Sequence, residues 1–169
     1  MSAPAQAARR VNVRTPEVME RVQAEVETHY RSHIVEQIRA KGSVITIGGT
    51  TIRLARDFGF CYGVERAIDL AYAARKVFAD RRVFLLGEII HNQEVNRQLT
   101  EMGVVSIPNV DHEAMVATMT NEDVVIVPAF GAETRLMKLI GERGCMVVDT
   151  TCGDVMSVWK RVRQYAKTG

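Results

Sequence analysis

Apolar residues recur at every fourth position in the segment that follows Thr15 and Pro16, which is typical of an amphipathic helix. Threonine is a favoured helix cap, and proline is favoured in the first turn. The apolar positions are Val18, Val22, Val26, Tyr30, Ile34 and Ile38. We therefore predict a helical arm over residues 15–42. The preceding residues 1–14 show no clear amphipathic period, and we predict that they form a disordered tail.

Two short runs of β-type residues follow the arm. Residues 44–47 and 50–55 flank Gly48 and Gly49, and both glycines tolerate positive φ angles. This arrangement predicts a β-hairpin with a two-residue turn.

From Tyr62 onward, apolar runs of strand length alternate with segments of helical period. Strands are predicted at 83–86, 104–106, 124–127 and 146–148, and helices at about 62–78, 91–102, 111–119, 133–143 and from 154 onward. Such alternation is typical of parallel βα units with right-handed crossovers. The predicted fold class is α/β: a parallel-sheet module over residues 43–152, preceded by the arm and followed by a helix over residues 153–169.

Composition narrows the class of protein. The chain has 22 Lys and Arg against 20 Asp and Glu, which argues against a surface dedicated to nucleic acid. No run approaches the roughly 18 apolar residues of a membrane helix, so no membrane partner is expected. The three cysteines form no CxxC pair, and no apolar leader follows Met1. A reducing compartment fits this pattern, and we predict a cytoplasmic protein.

Cys61 and Cys152 are the leading candidates for chemistry. Each follows a β-type run and opens a helical pattern, so we expect both at the carboxyl edge of the sheet, where ligands bind in open α/β folds. A helix N-terminus favours the thiolate, which ligates soft metals or attacks electrophiles. His91 is predicted at the same edge, although it could simply cap a helix. Cys145 stands at a strand start and is expected to be a core residue.

Two other schemes fail on spacing. Cys61 and Arg66 are separated by four residues, whereas a cysteine-dependent phosphatase loop needs five. The glycine-containing segments do not match the G-x-G-x-x-G dinucleotide fingerprint.

Four motifs in order carry a resemblance to a known family. They are FGFCYGVERA at 58–67, GEIIHN at 87–92, VPAFG at 127–131 and VDTTC at 148–152. Together they resemble the 4-hydroxy-3-methylbut-2-enyl diphosphate reductases, iron-sulfur enzymes of the non-mevalonate isoprenoid pathway, in their cyanobacterial and plastid form. The resemblance spans about residues 50–165.

The resemblance implies a metal site and a substrate. Cys61 and Cys152 would be two of the three thiolates that hold a [4Fe-4S] cluster, with one iron open to the substrate hydroxyl. His91 would hydrogen-bond the diphosphate of an allylic diphosphate substrate. A ferredoxin or flavodoxin type donor would supply electrons, and the products would be isopentenyl and dimethylallyl diphosphate. Phe130 stands where many members have a histidine, and the dipeptide Gly153-Asp154 follows Cys152 where many have Cys-Pro.

The resemblance also implies that the chain is the first of three pseudo-symmetric modules. The third cluster cysteine and the acidic proton donor would then lie beyond Gly169, so no catalytic residue is assigned within the chain. The final helix would lead into a second module, and the chain alone is expected to be inactive. The residues by themselves leave two alternatives open, a metal-free α/β binding module and a thiol-redox protein with a Cys61–Cys152 disulfide.

Overall fold

The computed structural model describes residues 8–168. Its strands are β1 (Arg9–Arg10), β2 (Val44–Ile47), β3 (Thr50–Arg53), β4 (Val83–Leu86), β5 (Val104–Ile107), β6 (Val124–Val127) and β7 (Met146–Asp149). Its helices are α1 (Pro16–Tyr30), α2 (His33–Ala40), α3 (Tyr62–Val77), α4 (Gln93–Glu101), α5 (His112–Ala117), α6 (Thr134–Glu142) and α7 (Gly153–Thr168). Across residues 8–168, every helix falls short of the length and apolar content needed to cross a bilayer.

Five strands form one parallel sheet in the order β1-β7-β6-β4-β5, while β2 and β3 pair separately as an antiparallel hairpin. The predicted α/β class with a parallel sheet is therefore confirmed. The hairpin is also present, with Gly48 and Gly49 both at positive φ in its turn.

Apolar layers cover both faces of the sheet. Alternate residues of β4 point to opposite layers: Leu85 packs with Leu99 of α4 on one face, and Phe84 packs with Ile140 of α6 on the other. Helices α1 and α3 add to the α4 layer, and α5 adds to the α6 layer. Every residue of β4 and β6 is buried, as expected for strands covered on two sides.

The strand order creates a crevice between β4 and β6. Helix α4 leads from β4 to β5, whereas α6 leads from β6 to β7, so the connections from these two neighbouring strands depart in opposite directions. Open α/β sheets bind ligands beyond the carboxyl ends of the strands at such a switch point. The fold itself therefore directs attention to the loops that follow β4 and β6.

The prediction of a disordered tail is wrong for the described part, residues 8–14; residues 1–7 lie outside the described residues. Arg9 and Arg10 form β1, which pairs with Met146 and Val147 of β7, and Val13 is buried in the α1 layer. The two-residue strand pairs through its backbone, so it leaves no hydrophobic alternation in the sequence.

The helical arm consists of two helices rather than one. Arg31 has extended backbone, and the hydroxyl of Ser32 accepts a hydrogen bond from the Val35 amide to begin α2. The fourfold apolar spacing continues through this break, and for that reason the pattern does not reveal it.

Candidate functional site

Cys61 occupies the N-cap of α3, and its thiol is exposed. Within residues 8–168 this side chain makes no capping hydrogen bond, so its sulfur is available to a ligand. The predicted hairpin precedes Cys61, and its strand β3 ends at Arg53, so no strand of the main sheet leads directly to this residue. A loop over residues 54–60 brings the thiol to the sheet edge instead.

Cys152 lies between β7 and α7, and its sulfur packs against the first turn of α3. A Cβ atom built on Gly63 would lie 2.5 Å from the Cys152 Sγ, a separation that no real Cβ contact allows. Only the hydrogen of a glycine fits between the helix and this sulfur. The Cys152 sulfur therefore contacts the turn that Cys61 caps, and the two predicted thiols lie on adjoining segments.

Backbone contacts hold the Cys152 segment in place. The Cys152 amide donates to the Ala129 carbonyl at 2.9 Å, which ties it to the loop after β6. The Arg66 Nη1 of α3 donates to the Thr151 carbonyl at 3.3 Å. The position of the sulfur is thus fixed by both the sheet and α3.

Tyr62 and Asp154 are polar neighbours of Cys152 that the sequence did not reveal. The Tyr62 ring is exposed. A hydrogen bond to Asp154, with a contribution from the neighbouring Cys152, raises the pKa of Tyr62 to about 12. The phenol therefore keeps its proton at neutral pH and can donate a hydrogen bond beside the thiol. Their positions next to Cys61 and Cys152 in sequence are the signal that could have identified them.

His91 lies in the loop after β4, where two contacts orient its ring. Its Nδ1 is 3.0 Å from the Glu88 Oε2, and its ring stacks on Phe130 with centroids 4.6 Å apart and planes inclined by 19°. The side chain does not cap α4, because Asn92 does so by accepting from the Val95 amide. The alternative that His91 is merely a helix cap is therefore wrong.

A cavity of about 990 Å³ opens over the carboxyl ends of β4, β5 and β6. His91 and Phe130 line it together with His112, Glu113 and Glu133. Of the described residues that line the cavity, none is a lysine or an arginine. The cavity adjoins the cysteines through the β6 loop, because Phe130 follows Ala129, the hydrogen-bond partner of Cys152.

Trp159 anchors α7 on the same loop. A Cβ built on Gly131 would lie 2.0 Å from the Trp159 Cη2, and Gly131 has a φ of +86°. Glycine is required there for both reasons. The indole therefore locks the helix that follows Cys152 against the turn that carries Phe130.

The described residues do not complete a metal site. Across residues 8–168, no group of three or more His, Cys, Asp or Glu side chains is arranged to hold an ion. Cys145 is fully buried before β7, and its Sγ donates to the Thr120 carbonyl at 3.3 Å. Burial raises the pKa of Cys145, so this thiol is a core group.

The fold is that of an α/β protein with an open parallel sheet, and two thiols and an imidazole lie on loops at the carboxyl edge, where proteins of this class bind ligands. A family model described as LytB protein matches residues 52–169. The chain belongs to this family.

Among known proteins, the chain is similar to the 4-hydroxy-3-methylbut-2-enyl diphosphate reductase of Nostoc sp., at 43% identity over 146 residues, or 86% of this chain and 36% of the relative. The corresponding reductase of Thermosynechococcus vestitus is 46% identical over 148 residues, or 88% and 37%. The chain thus spans little more than a third of the length of these relatives.

Comparison with solved structures gives the same kind of relatives. The structure of an (E)-4-hydroxy-3-methyl-but-2-enyl diphosphate reductase matches with a TM-score of 0.53 and 35% identity, covering 66% of this chain and 37% of that one. The reductase from Plasmodium falciparum matches with a TM-score of 0.59 and 25% identity, covering 67% and 33%.

Proposed function

We propose that this chain supplies part of the active site of a 4-hydroxy-3-methylbut-2-enyl diphosphate reductase. In the proposed reaction the allylic carbon–oxygen bond breaks and a carbon–hydrogen bond forms. Two electrons and two protons are consumed, the oxygen leaves as water, and the products are isopentenyl and dimethylallyl diphosphate. A ferredoxin or flavodoxin type protein is the proposed reductant, and the cytoplasm remains the predicted location.

One observation carries the proposal: the Cys152 sulfur lies against Gly63, on the turn of α3 that Cys61 caps. Both thiols stand at helix N-termini, where the backbone amides and the helix dipole favour a thiolate. Thiolates are the ligands that iron-sulfur clusters take in proteins.

Cys61 and Cys152 would hold two irons of a [4Fe-4S] cluster. The donor set fits this cluster in part, because residues 8–168 offer no third side chain beside the two thiols. The proposal therefore takes the third thiolate from outside these residues. When bound, the cluster would supply electrons and a Lewis-acidic iron for the substrate hydroxyl.

His91 would bind the diphosphate at the cavity over β4 and β6. An imidazole that donates to a phosphate oxygen forms a strong hydrogen bond when it is charged. Cys152 is joined to the Phe130 loop through Ala129, so the proposed thiolates and the imidazole border one region of the sheet edge. A small molecule with an alcohol at one end and a diphosphate at the other would place the alcohol beside the thiolates and the diphosphate beside the imidazole.

Iron binding tests the proposal. After anaerobic reconstitution with iron and sulfide, we expect the chain to bind a labile cluster, because one thiolate is missing. Cys61→Ser and Cys152→Ser should each lower the iron retained after gel filtration and the visible absorbance several-fold. Cys145→Ala is the matched control and should retain as much iron as the unmodified chain, since that sulfur is buried in the core.

Two results would contradict this assignment. If the serine variants retain as much iron as the control, the thiols are not ligands. If mild oxidation instead joins Cys61 to Cys152 quantitatively in a chain that binds no iron, the thiol-redox alternative is favoured.

A further inference from the structure

The His91 ring is fixed on two sides by residues that have no assigned role. Glu88 contacts Nδ1 at 3.0 Å, and Phe130 covers one face of the ring at a centroid distance of 4.6 Å. These residues come from different loops, one after β4 and the other after β6. The arrangement therefore exists only when the two sides of the crevice are assembled.

The contact with Glu88 determines which nitrogen can meet a ligand. A carboxylate accepts hydrogen bonds and donates none, so the Nδ1 of His91 must carry a proton. Nε2 is then the nitrogen left for a molecule in the cavity. A neutral ring in this tautomer presents an acceptor at Nε2, whereas the imidazolium donates from both nitrogens. Only the imidazolium can therefore bind Glu88 and a phosphate oxygen together.

Among the titratable side chains that line the cavity, His91 is the candidate donor to an anion. Glu113 and Glu133 are carboxylates, and Glu113 is paired with Arg135 at 3.1 Å. The Nε2 of His112 lies 3.0 Å from the Ile107 carbonyl, so it donates there and leaves this ring only an acceptor when neutral.

We propose that Glu88 and Phe130 are positioning residues that hold His91 as an Nδ1-protonated imidazole with Nε2 presented to a phosphate oxygen of the substrate. This inference rests on the proposed function for its ligand. Glu88 accepts the hydrogen bond from Nδ1, and the stacked Phe130 ring sets the plane of the imidazole. The Glu88 and His91 side chains are both largely exposed, and such surface pairs contribute little to stability. We therefore expect these two residues to affect the tautomer and orientation of the His91 ring rather than the stability of the fold.

Nitrogen-15 NMR of the histidine-labelled chain reads the ring directly. The chain has four histidines, and His91→Gln identifies the His91 signals. In alkaline buffer we expect the unmodified ring in the Nδ1–H tautomer, although the Nε2–H form prevails for a solvated histidine side chain. Glu88→Gln should shift the His91 signals toward the Nε2–H form, and Glu88→Asp should restore part of the original pattern.

Inorganic pyrophosphate is the probe for the ligand. Its addition should shift the His91 Nε2 signal, and Glu88→Gln should weaken binding about fivefold through loss of a charge-assisted partner. Phe130→Leu should weaken it about threefold, while Phe130→Tyr keeps the aromatic face and should restore affinity. Glu133→Gln removes another carboxylate of the same cavity and is the matched control, with no expected change in tautomer.

The inference is overturned if Glu88→Gln leaves the tautomer unchanged, if Phe130→Leu leaves the pyrophosphate affinity unchanged, or if pyrophosphate does not perturb His91 in the unmodified chain. Because these readouts need no iron, their failure is distinct from failure of the proposed reductase. Suppose that the His91 tautomer depends on Glu88 and the ring binds pyrophosphate, but that the serine variants of Cys61 and Cys152 retain as much iron as the unmodified chain. That result would support the positioning role and contradict the proposed cluster.

Discussion

A cysteine lies near each end of β7. A comparison of their surroundings distinguishes a residue that stabilises the core from one that is open to a ligand. Cys145 lies directly before the strand and is completely buried, with its thiol donating to a backbone carbonyl. Cys152 lies after the strand and is partly exposed, with its sulfur against Gly63. The same residue type is thus a core group before this strand and a candidate ligand after it.

The polar groups around these ends differ in the same way. At the amino end, Asp123 is buried and receives two hydrogen bonds from Arg82, at 2.8 and 2.7 Å, and one from the Thr120 amide at 2.8 Å. At the carboxyl end, the Cys61 thiol and the His91 ring are exposed. Polar groups at the amino end satisfy one another, whereas those at the carboxyl end are available to a ligand.

Alkylation rates should show the largest contrast between the two ends. With iodoacetamide in native buffer, we expect Cys145 to react at least about a thousandfold more slowly than Cys61, because its reaction must wait for an opening that costs several kcal/mol. Burial also raises the pKa of Cys145 and so lowers its thiolate fraction. Peptide mass spectrometry over time measures both rates. The rates should converge in denaturant, and similar rates in native buffer would contradict a sealed amino end.

Removal of the Asp123 carboxylate should be the most costly single substitution at the amino end. Asp123→Ala should lower the free energy of unfolding by about 2–3 kcal/mol, because the Thr120 amide and the Arg82 guanidinium lose a buried charged partner. Urea denaturation measures this loss. Glu122→Ala is the control: its side chain is 71% exposed and pairs with Arg81, so we expect a change below about 0.5 kcal/mol. Equal losses of stability in the two variants would contradict the conclusion that the buried Asp123 carboxylate stabilises the fold more than the exposed Glu122 does.

The stabilisation by Asp123 should also depend on pH. Burial opposes ionisation of this carboxyl, but the hydrogen bonds from Arg82 and Thr120 outweigh it and lower the pKa of Asp123. A lowered native pKa stabilises the fold above the unfolded value of about 3.9, and this contribution is lost as the pH falls through the native pKa. The stability gap between the unmodified chain and Asp123→Ala should therefore be full at neutral pH and shrink in acid. A gap independent of pH would contradict the ionised pair.

Elements that bury continuous apolar runs were predictable from the sequence. The strands at 83–86 and 124–127 have the predicted bounds, because four consecutive apolar residues between turn residues leave little choice of structure. β1 and the break at Ser32 were not predictable, since one rests on backbone pairing and the other on a local cap that keeps the apolar spacing intact.

The candidate site shows the same contrast between features set by local sequence and features set by distant contacts. Cys61, Cys152 and His91 were predicted as candidate site residues from their positions after β-type runs and before helical patterns, and they remain candidates. Their surroundings depend on distant segments, so spacing along the chain did not reveal them. Phe130 stacks on His91, and this contact arises because β4 and β6 are neighbours in the sheet although β5 separates them in sequence.

Substitutions at two glycines that lie at helix starts test how tightly α3 packs against the Cys152 sulfur at the carboxyl end, and their expected effects are the smallest. Gly63→Ala would place a Cβ 2.5 Å from the Cys152 sulfur, whereas Gly153→Ala would place one 3.6 Å from the Tyr62 hydroxyl, an ordinary contact. Overpacking costs about 1–3 kcal/mol, and alanine regains up to about 1 kcal/mol in a helix, so we expect Gly63→Ala to lose about 1 kcal/mol net. Gly153→Ala should be neutral or slightly stabilising.

A double variant isolates the sulfur as the cause. In Cys152→Ala the atom that opposes the new methyl is absent, so adding Gly63→Ala to that background should no longer destabilise the chain. Urea denaturation of the four members of this cycle gives the coupling between the two positions. If Gly63→Ala costs the same with and without the Cys152 sulfur, the close approach of α3 to this thiol does not determine the packing. The backbone of α3 would then not fix the position of the proposed ligand.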